Sequence, residues 1–184
     1  MNHAFRLGFL THVEGAGDAG RIYRETLELF VAADELGFDV GWVAEHHFKP
    51  VVGRLPSLFP FLAAAAERTR HIRLGTSIVI LPFEHPLRIA EDAAVVDTLS
   101  GGRLELGIGS GGDPAEFAAF GLTLDQRHTL TTDRLHTLQR ALRGEALGES
   151  GQQLQPPAPT LVNRLWQSAD VGCELALQGA TSHF

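Results

Sequence analysis

One cysteine, Cys173, occurs in 184 residues. A single thiol excludes an intrachain disulfide and any cysteine-rich zinc site. Basic residues are also short: 15 Lys and Arg against 22 Asp and Glu give a net charge of −7. No basic cluster interrupts that deficit, which argues against non-specific binding to nucleic acid or to an anionic membrane surface. No run approaches the ~20 apolar residues of a membrane span, and no charged start followed by an apolar stretch marks a secretory signal. These absences lead us to expect a cytoplasmic protein with no nucleic-acid or membrane partner. A dinucleotide fingerprint is missing too. Gly15-Ala16-Gly17 arrives late after the first apolar run, without the third glycine or the acidic ribose partner such a loop needs.

Present instead is a soluble globular balance, 44% apolar and 20% charged residues, on a chain long enough for one domain with a real core. Strand-like and helix-like patterns alternate. Phe5–Leu10, Val40–Glu45, Ile72–Leu81 and Arg103–Ile108 read as strands, with Leu161–Ser168 as a candidate fifth. Helical stretches stand between them. Ile22, Leu29, Phe30, Ala33 and Leu36 form a stripe that Gly37 closes, Pro56-Ser57 open a second helix, and His85-Pro86 open a third. Asp113-Pro114 cap a short helix, a longer one covers about 126–142, and Asp170–Gln178 reads as another. The Gly-, Gln- and Pro-rich stretch 144–159 has no period and reads as a long loop or insertion. Alternation of this kind implies a parallel sheet with right-handed crossovers, either doubly wound or an arc of a (β/α)8 barrel, within one domain over 1–184.

The segment Val40–Phe48, VGWVAEHHF, carries the chemistry. Its apolar run ends in Glu45, His46 and His47 at the carboxyl end of a strand, where α/β folds place their sites. Alternation puts Glu45 and His47 on one face and His46 on the other. Burying such groups unpaired costs roughly 2–7 kcal/mol each, so packing alone does not account for them. A metal site at Glu45 and His47 lacks a third ligand at a useful spacing. Further on, Gly109-Ser110-Gly111-Gly112 could present backbone N–H groups to an anion.

From Phe5 to about Leu122 the chain resembles the bacterial luciferase-like, flavin-dependent monooxygenase family. The matching stretches are WVAEHHF (Trp42–Phe48), LGTSIVILPFEHPLRIAED (Leu74–Asp92) and LSGGRLELGIGSG (Leu99–Gly111). The resemblance implies the barrel alternative, of which five strands are legible here, often as a homodimer. It also implies reduced FMN at the carboxyl ends of the strands, delivered by a separate flavin reductase, with O2 and a small organic substrate as reactants. A relative using deazaflavin F420 for hydride transfer shares the fold and is the alternative cofactor. A non-catalytic or truncated flavin-binding subunit is the alternative function.

The same resemblance assigns roles to particular residues. His46 and His47 match the family's histidine pair, the first as an acid/base near the flavin, with Glu45 orienting a histidine or a loop N–H. Thr76, Ser77 and Ile78 match the strand that carries a non-prolyl cis peptide under the flavin ring, placed here at Ser77–Ile78. Gly109, Ser110 and Ser168 fall where the family contacts the flavin and its phosphate. The family's cysteine and phosphate arginine are replaced by Gly109 and Ser110, and a hydroxyl is lost at Ala169. Arg103, Arg127 and Arg164 are the candidates to replace that arginine.

Overall fold

The computed structural model describes residues 5–168. In order these form β1 (Gly8–Thr11), α1 (Ala19–Glu35), β2 (Val40–Val43), α2 (Leu58–Arg68), β3 (Arg73–Thr76), β4 (Val79–Ile80), α3 (Pro86–Leu99), β5 (Leu104–Gly109), α4 (Pro114–Ala119), α5 (Arg127–Leu142) and β6 (Leu165–Gln167). The expected helix at 170–178, Ala169 and Cys173 lie outside the described residues.

Every strand pairing is parallel, in the order β1-β2-β3-β5, with β4 and β6 also on β5. β3 pairs the first half of β5 (Leu74 with Leu104) and β4 the second half (Val79 with Ile108). These two therefore occupy one position in the sheet. Sequential helices pack on one another, α1 on α2, α2 on α3 and α3 on α5. Between this layer and the sheet sit Phe30, Leu62, Ile72, Leu74, Leu104, Ile108 and Leu138, all essentially inaccessible. Each such side chain contributes about 1.5–3 kcal/mol by leaving water. Among the described residues no helix covers the opposite face of the sheet, where Leu10 and Trp166 are about half exposed. A doubly wound sheet would be covered on both faces. Helices on one face only make this an arc of a (β/α)8 barrel, whose inner wall is the bare side.

Several elements differ from the sequence reading. The third strand does not run unbroken from Ile72 to Leu81. It stops at Thr76, passes a cis Ser77–Ile78 peptide, resumes for two residues and ends in a 3-10 turn at Leu81–Phe83. At the break, the Thr76 hydroxyl donates to the Gly107 carbonyl (2.7 Å) and accepts the Gly107 N–H (2.8 Å). One side chain thus takes the place of a ladder rung. In α1 the buried stripe is Ile22, Thr26, Leu27, Phe30 and Ala33, whereas Leu29 and Leu36 face solvent. The helix begins three residues earlier than the apolar pattern suggested, because Asp18 caps it by accepting the Arg21 N–H at 2.7 Å. Gly37 closes it at φ 80°, and His85 caps α3, accepting the Leu87 N–H. The candidate fifth strand is a 3-10 turn at Leu161–Arg164 followed by β6.

Two of the three arginines proposed for a phosphate belong to the opposite end of the sheet. Arg103, just before β5, donates to the carbonyls of Ala66, Thr69, Ile72 and Ser100. It ties the end of α2 to the start of β5, and burial lowers its pKa. Arg164 makes a two-pronged bond to the buried Asp97 (2.7 and 2.9 Å), and that partner raises its pKa. Both are structural clamps at the amino ends of the strands.

Candidate active site

The carboxyl ends of the strands enclose a cleft of about 340 Å³ lined by Leu10, Trp42, Thr76, Ser77, Ile78, Gly107, Trp166, Gln167 and Ser168. Its walls are aromatic and aliphatic. Trp42 and Trp166 meet edge to face, 6.3 Å between centroids, and Trp166 is anchored through its indole N–H to Glu105 at 2.6 Å. The floor is the interrupted strand position, Thr76 to Ile78. Gly109 is the close-approach point, since a β-carbon there would fall on Ser168 Oγ and on the Ile78 δ-methyl. Thr76, Ser77, Ile78, Gly109 and Ser168 are therefore neighbours in space, whereas Ser110 lies just past β5 with its hydroxyl 3.4 Å from the Gly111 carbonyl. Arg127, the third arginine, is at this glycine loop, its guanidinium 3.5 Å from the Gly111 carbonyl.

The Glu45-His46-His47 triplet divides as alternation requires. Glu45 and His47 turn to the helix side and are buried. Glu45 Oε1 lies 2.8 Å from His47 Nε2, and Glu45 Oε2 accepts the Ile80 N–H at 3.2 Å. Burial pushes the Glu45 carboxyl above the ordinary glutamate range. His47 and the Ile80 N–H pull the other way, while Glu84 adds to the rise. The His47 ring stands edge-on to Phe83 and Phe120, 5.4 and 4.8 Å between centroids. This pair joins the end of β2 to β4.

His46 takes the other face, shared along the strand with Trp42. Its side chain is about a third exposed. His46 Nε2 lies 3.3 Å from His12 Nδ1, with the two rings stacked at 5.5 Å. His46 Nδ1 lies 3.6 Å from Glu116 Oε1. Glu116 is almost wholly buried and also accepts the His47 backbone N–H at 3.0 Å. Lys49 pairs with Asp113 at the start of α4 and lies 4.0 Å from Glu116. The Lys49 bond holds the Asp113 carboxyl below its usual range, and Asp113 in turn raises Lys49. Gly53, at φ 71°, packs against the far side of His46, where a β-carbon would come within 2.6 Å of the imidazole.

His12, Gly53 and Glu116 were not singled out in the sequence. His12 carries a legible signal, since it lies two residues beyond Leu10 and so on the same strand face. Glu116 had none: it is an acidic residue in a short helix that only the fold carries back to β2.

Comparison with known proteins agrees with this fold. Residues 5–170 match the luciferase-like monooxygenase family, and the chain belongs to that family. It is 41% identical over 149 residues to the uncharacterized protein y4wF of Sinorhizobium fredii, covering 80% of this chain and 43% of that protein. It is 31% identical over 165 residues to the oxygenase component of the flavin-dependent trigonelline monooxygenase of Acinetobacter baylyi, covering 88% of this chain and 39% of that one. Among solved structures, the monooxygenase RslO1 of Streptomyces bottropensis superposes with a TM-score of 0.77 at 32% identity, over 84% of this chain and half of that one. The chain thus spans about half the length of these relatives or less.

Proposed function

We propose that this chain supplies the flavin-facing half of a monooxygenase that uses reduced FMN and O2 on a small organic substrate. The observation that carries this reading is the cleft itself: an apolar, tryptophan-walled slot at the carboxyl ends of the strands, with a partly exposed histidine just past the end of β2. Pockets for ligands of this size run from about 300 Å³ upward, mostly apolar with a few placed polar groups. The residues present fit a flat heteroaromatic ring. Leu10, Trp42 and Trp166 offer faces to it, and the Thr76–Ile78 floor with Gly109 lets the backbone come close. Arg127, which also donates to His128, and the glycine loop are the groups that would meet a phosphate. When bound, reduced FMN supplies the electrons that activate O2.

The chain's own residues do the rest. Trp42 and Trp166 exclude water from one side of the slot, which strengthens every polar interaction inside it. His46 presents its ring at the strand tip, between His12 and Glu116. Glu45 and His47 keep the end of β2 attached to β4. A flavin reductase as electron source and a second copy of the chain as subunit belong to the same proposal. The name of the Acinetobacter relative, an oxygenase component of a flavin-dependent enzyme, supports the division between oxygenase and reductase.

The test is a titration with FMN, oxidised and photoreduced, followed by tryptophan fluorescence. The chain has two tryptophans, and both line the cleft, so binding there quenches nearly all of the emission. Gly109→Val, whose side chain would displace Ser168 and Ile78 from the cleft wall, is expected to abolish quenching. Equal quenching in that variant would overturn the placement.

A further inference from the structure

Among the described residues, two non-glycine residues have left-handed backbone: Val13 at φ 49° and Phe48 at φ 59°. Such conformations are rare for β-branched and bulky side chains and persist where the surroundings enforce them, often at functional sites. Here one directly follows His12 and the other directly follows the His46-His47 pair. The chain turns sharply just after two histidines on neighbouring strands, and their rings end side by side, 5.5 Å between centroids. His46 then has both ring nitrogens directed at protein groups: Nε2 at His12 Nδ1, 3.3 Å away, and Nδ1 at Glu116 Oε1, 3.6 Å away. The ring nitrogen left over in this trio is His12 Nε2, which makes no hydrogen bond among the described residues. His12 also lies two positions past Leu10, which lines the cleft, and so on the same face. The trio does not converge as metal ligands do.

We propose that His12 is the group that exchanges a proton with the ligand in the cleft, and that His46 is the relay joining it to Glu116. This rests on the reading of the cleft as the cofactor and substrate site. The carboxylate selects the His46 tautomer with hydrogen on Nδ1, leaving Nε2 to accept the His12 Nδ1–H. A proton arriving at His12 Nε2 from ligand or water forms an N–H bond there. The His12 Nδ1–H bond breaks, and an N–H bond forms at His46 Nε2. The positive charge then rests on His46 beside Glu116. Run in reverse, the same sequence delivers a proton from His12 Nε2. Lys49, paired with Asp113, lies 4.0 Å from Glu116, and the His47 backbone N–H holds the same carboxylate oxygen. The carboxylate beside the relayed charge is therefore held by groups from the segment after β2. His12 would be a positioned proton carrier, with His46 a positioning residue behind it.

The experiment is long-range 1H–15N correlation of the histidine rings in the 15N-labelled chain at one fixed near-neutral pH, without flavin. The expected wild-type spectrum shows His46 as the Nδ1–H tautomer with a hydrogen-bonded Nε2. His12→Phe should move the His46 Nε2 resonance to that of an unbonded nitrogen. His12→Gln, whose amide can still donate, should restore it. A wild-type His46 in the Nε2–H tautomer, or a His46 spectrum unchanged by His12→Phe, overturns the relay. A second readout uses the FMN-loaded protein with a reductase. Both His12 variants should lose roughly 10²–10⁴-fold in oxidation rate, the range of a general acid–base contribution, with FMN quenching unchanged. His12→Gln would thus repair the spectrum and not the rate. Full rate in either variant overturns the proposal. Absent FMN quenching in the wild type would overturn the cofactor reading instead, and the ring spectra would still decide the relay.

Discussion

Replacing Glu45 by glutamine tests the electrostatics of the second strand most directly. Glu45 is about 93% buried, contacts His47 Nε2 at 2.8 Å and accepts the Ile80 N–H at 3.2 Å. Burial, the largest influence, raises its folded-state pKa above the ordinary value. The unfolded chain therefore releases this proton at lower pH than the folded chain does. Below the ordinary glutamate value both states hold the proton, and the contribution to stability is complete. As pH rises from that value through the raised folded value, stability is lost, with a slope of at most about 1.4 kcal/mol per pH unit for one proton. Glutamine mimics the protonated acid in shape and keeps an acceptor for the Ile80 N–H. Glu45→Gln should lie within about 1 kcal/mol of wild type in acid, where hydrogen bonds of this kind contribute 0.5–1.5 kcal/mol net. It should then gain on wild type as pH rises. Glu45→Ala, which strands both His47 and the Ile80 N–H, should cost about 2–6 kcal/mol in acid, since each orphaned buried group costs about 1–3 kcal/mol, and its gap to wild type should narrow as pH rises by the same linkage. Urea denaturation of the three proteins from pH 4 to 8 measures all of this. Parallel wild-type and Glu45→Gln curves, or a wild type that gains on the variant as pH rises, would refute the reasoning.

Three further outcomes are expected. Gly53→Ala combines a left-handed backbone with a β-carbon within 2.6 Å of His46. It should destabilise the chain by about 1–2 kcal/mol from the backbone alone and shift the His46 ring resonances, both read from one NMR melt. Asp97→Ala leaves Arg164 buried without its two-pronged partner and should cost about 3–5 kcal/mol, measured by denaturant midpoint. If it stays below 1 kcal/mol, the clamp assignment fails. Lys49→Met removes the group that depresses Asp113. A depressed carboxyl stabilises the fold above its ordinary value and loses that contribution as pH falls through the folded value. The variant's Asp113 13C titration should therefore move up toward the ordinary aspartate range, and the acid-side difference in stability from wild type should vanish.

Much of this molecule was legible along the chain. The strand–helix alternation, the caps at His85 and Asp113 and the glycine closing α1 are local: each depends on a backbone conformation that a few neighbouring residues determine. The separation of His46 from Glu45 and His47 follows from the two-residue period of a strand and needs no tertiary information. What could not be read is what depends on distant partners. The Ile72–Leu81 run is uniformly apolar, and nothing in it announces that Thr76 would bond to Gly107, 31 residues away, and end the strand. The stripe on α1 was misjudged at Leu29 and Leu36 because hydrophobicity does not state which way a neighbouring helix lies. Arg103 and Arg164 read as candidates for a phosphate, yet carbonyls and Asp97 at the far end of the sheet hold them.

Composition, charge and the order of elements by themselves determined a parallel α/β domain with proton-handling groups at one strand end, since those features arise from periodicity and local sterics. Only the tertiary structure decided which of those groups work together. His12, His46 and Glu116 are separated by 34 and 70 positions in sequence, and curvature of the sheet with the return of α4 brings them together. Contacts between side chains that far apart are set by packing of the whole arc, which no local pattern encodes.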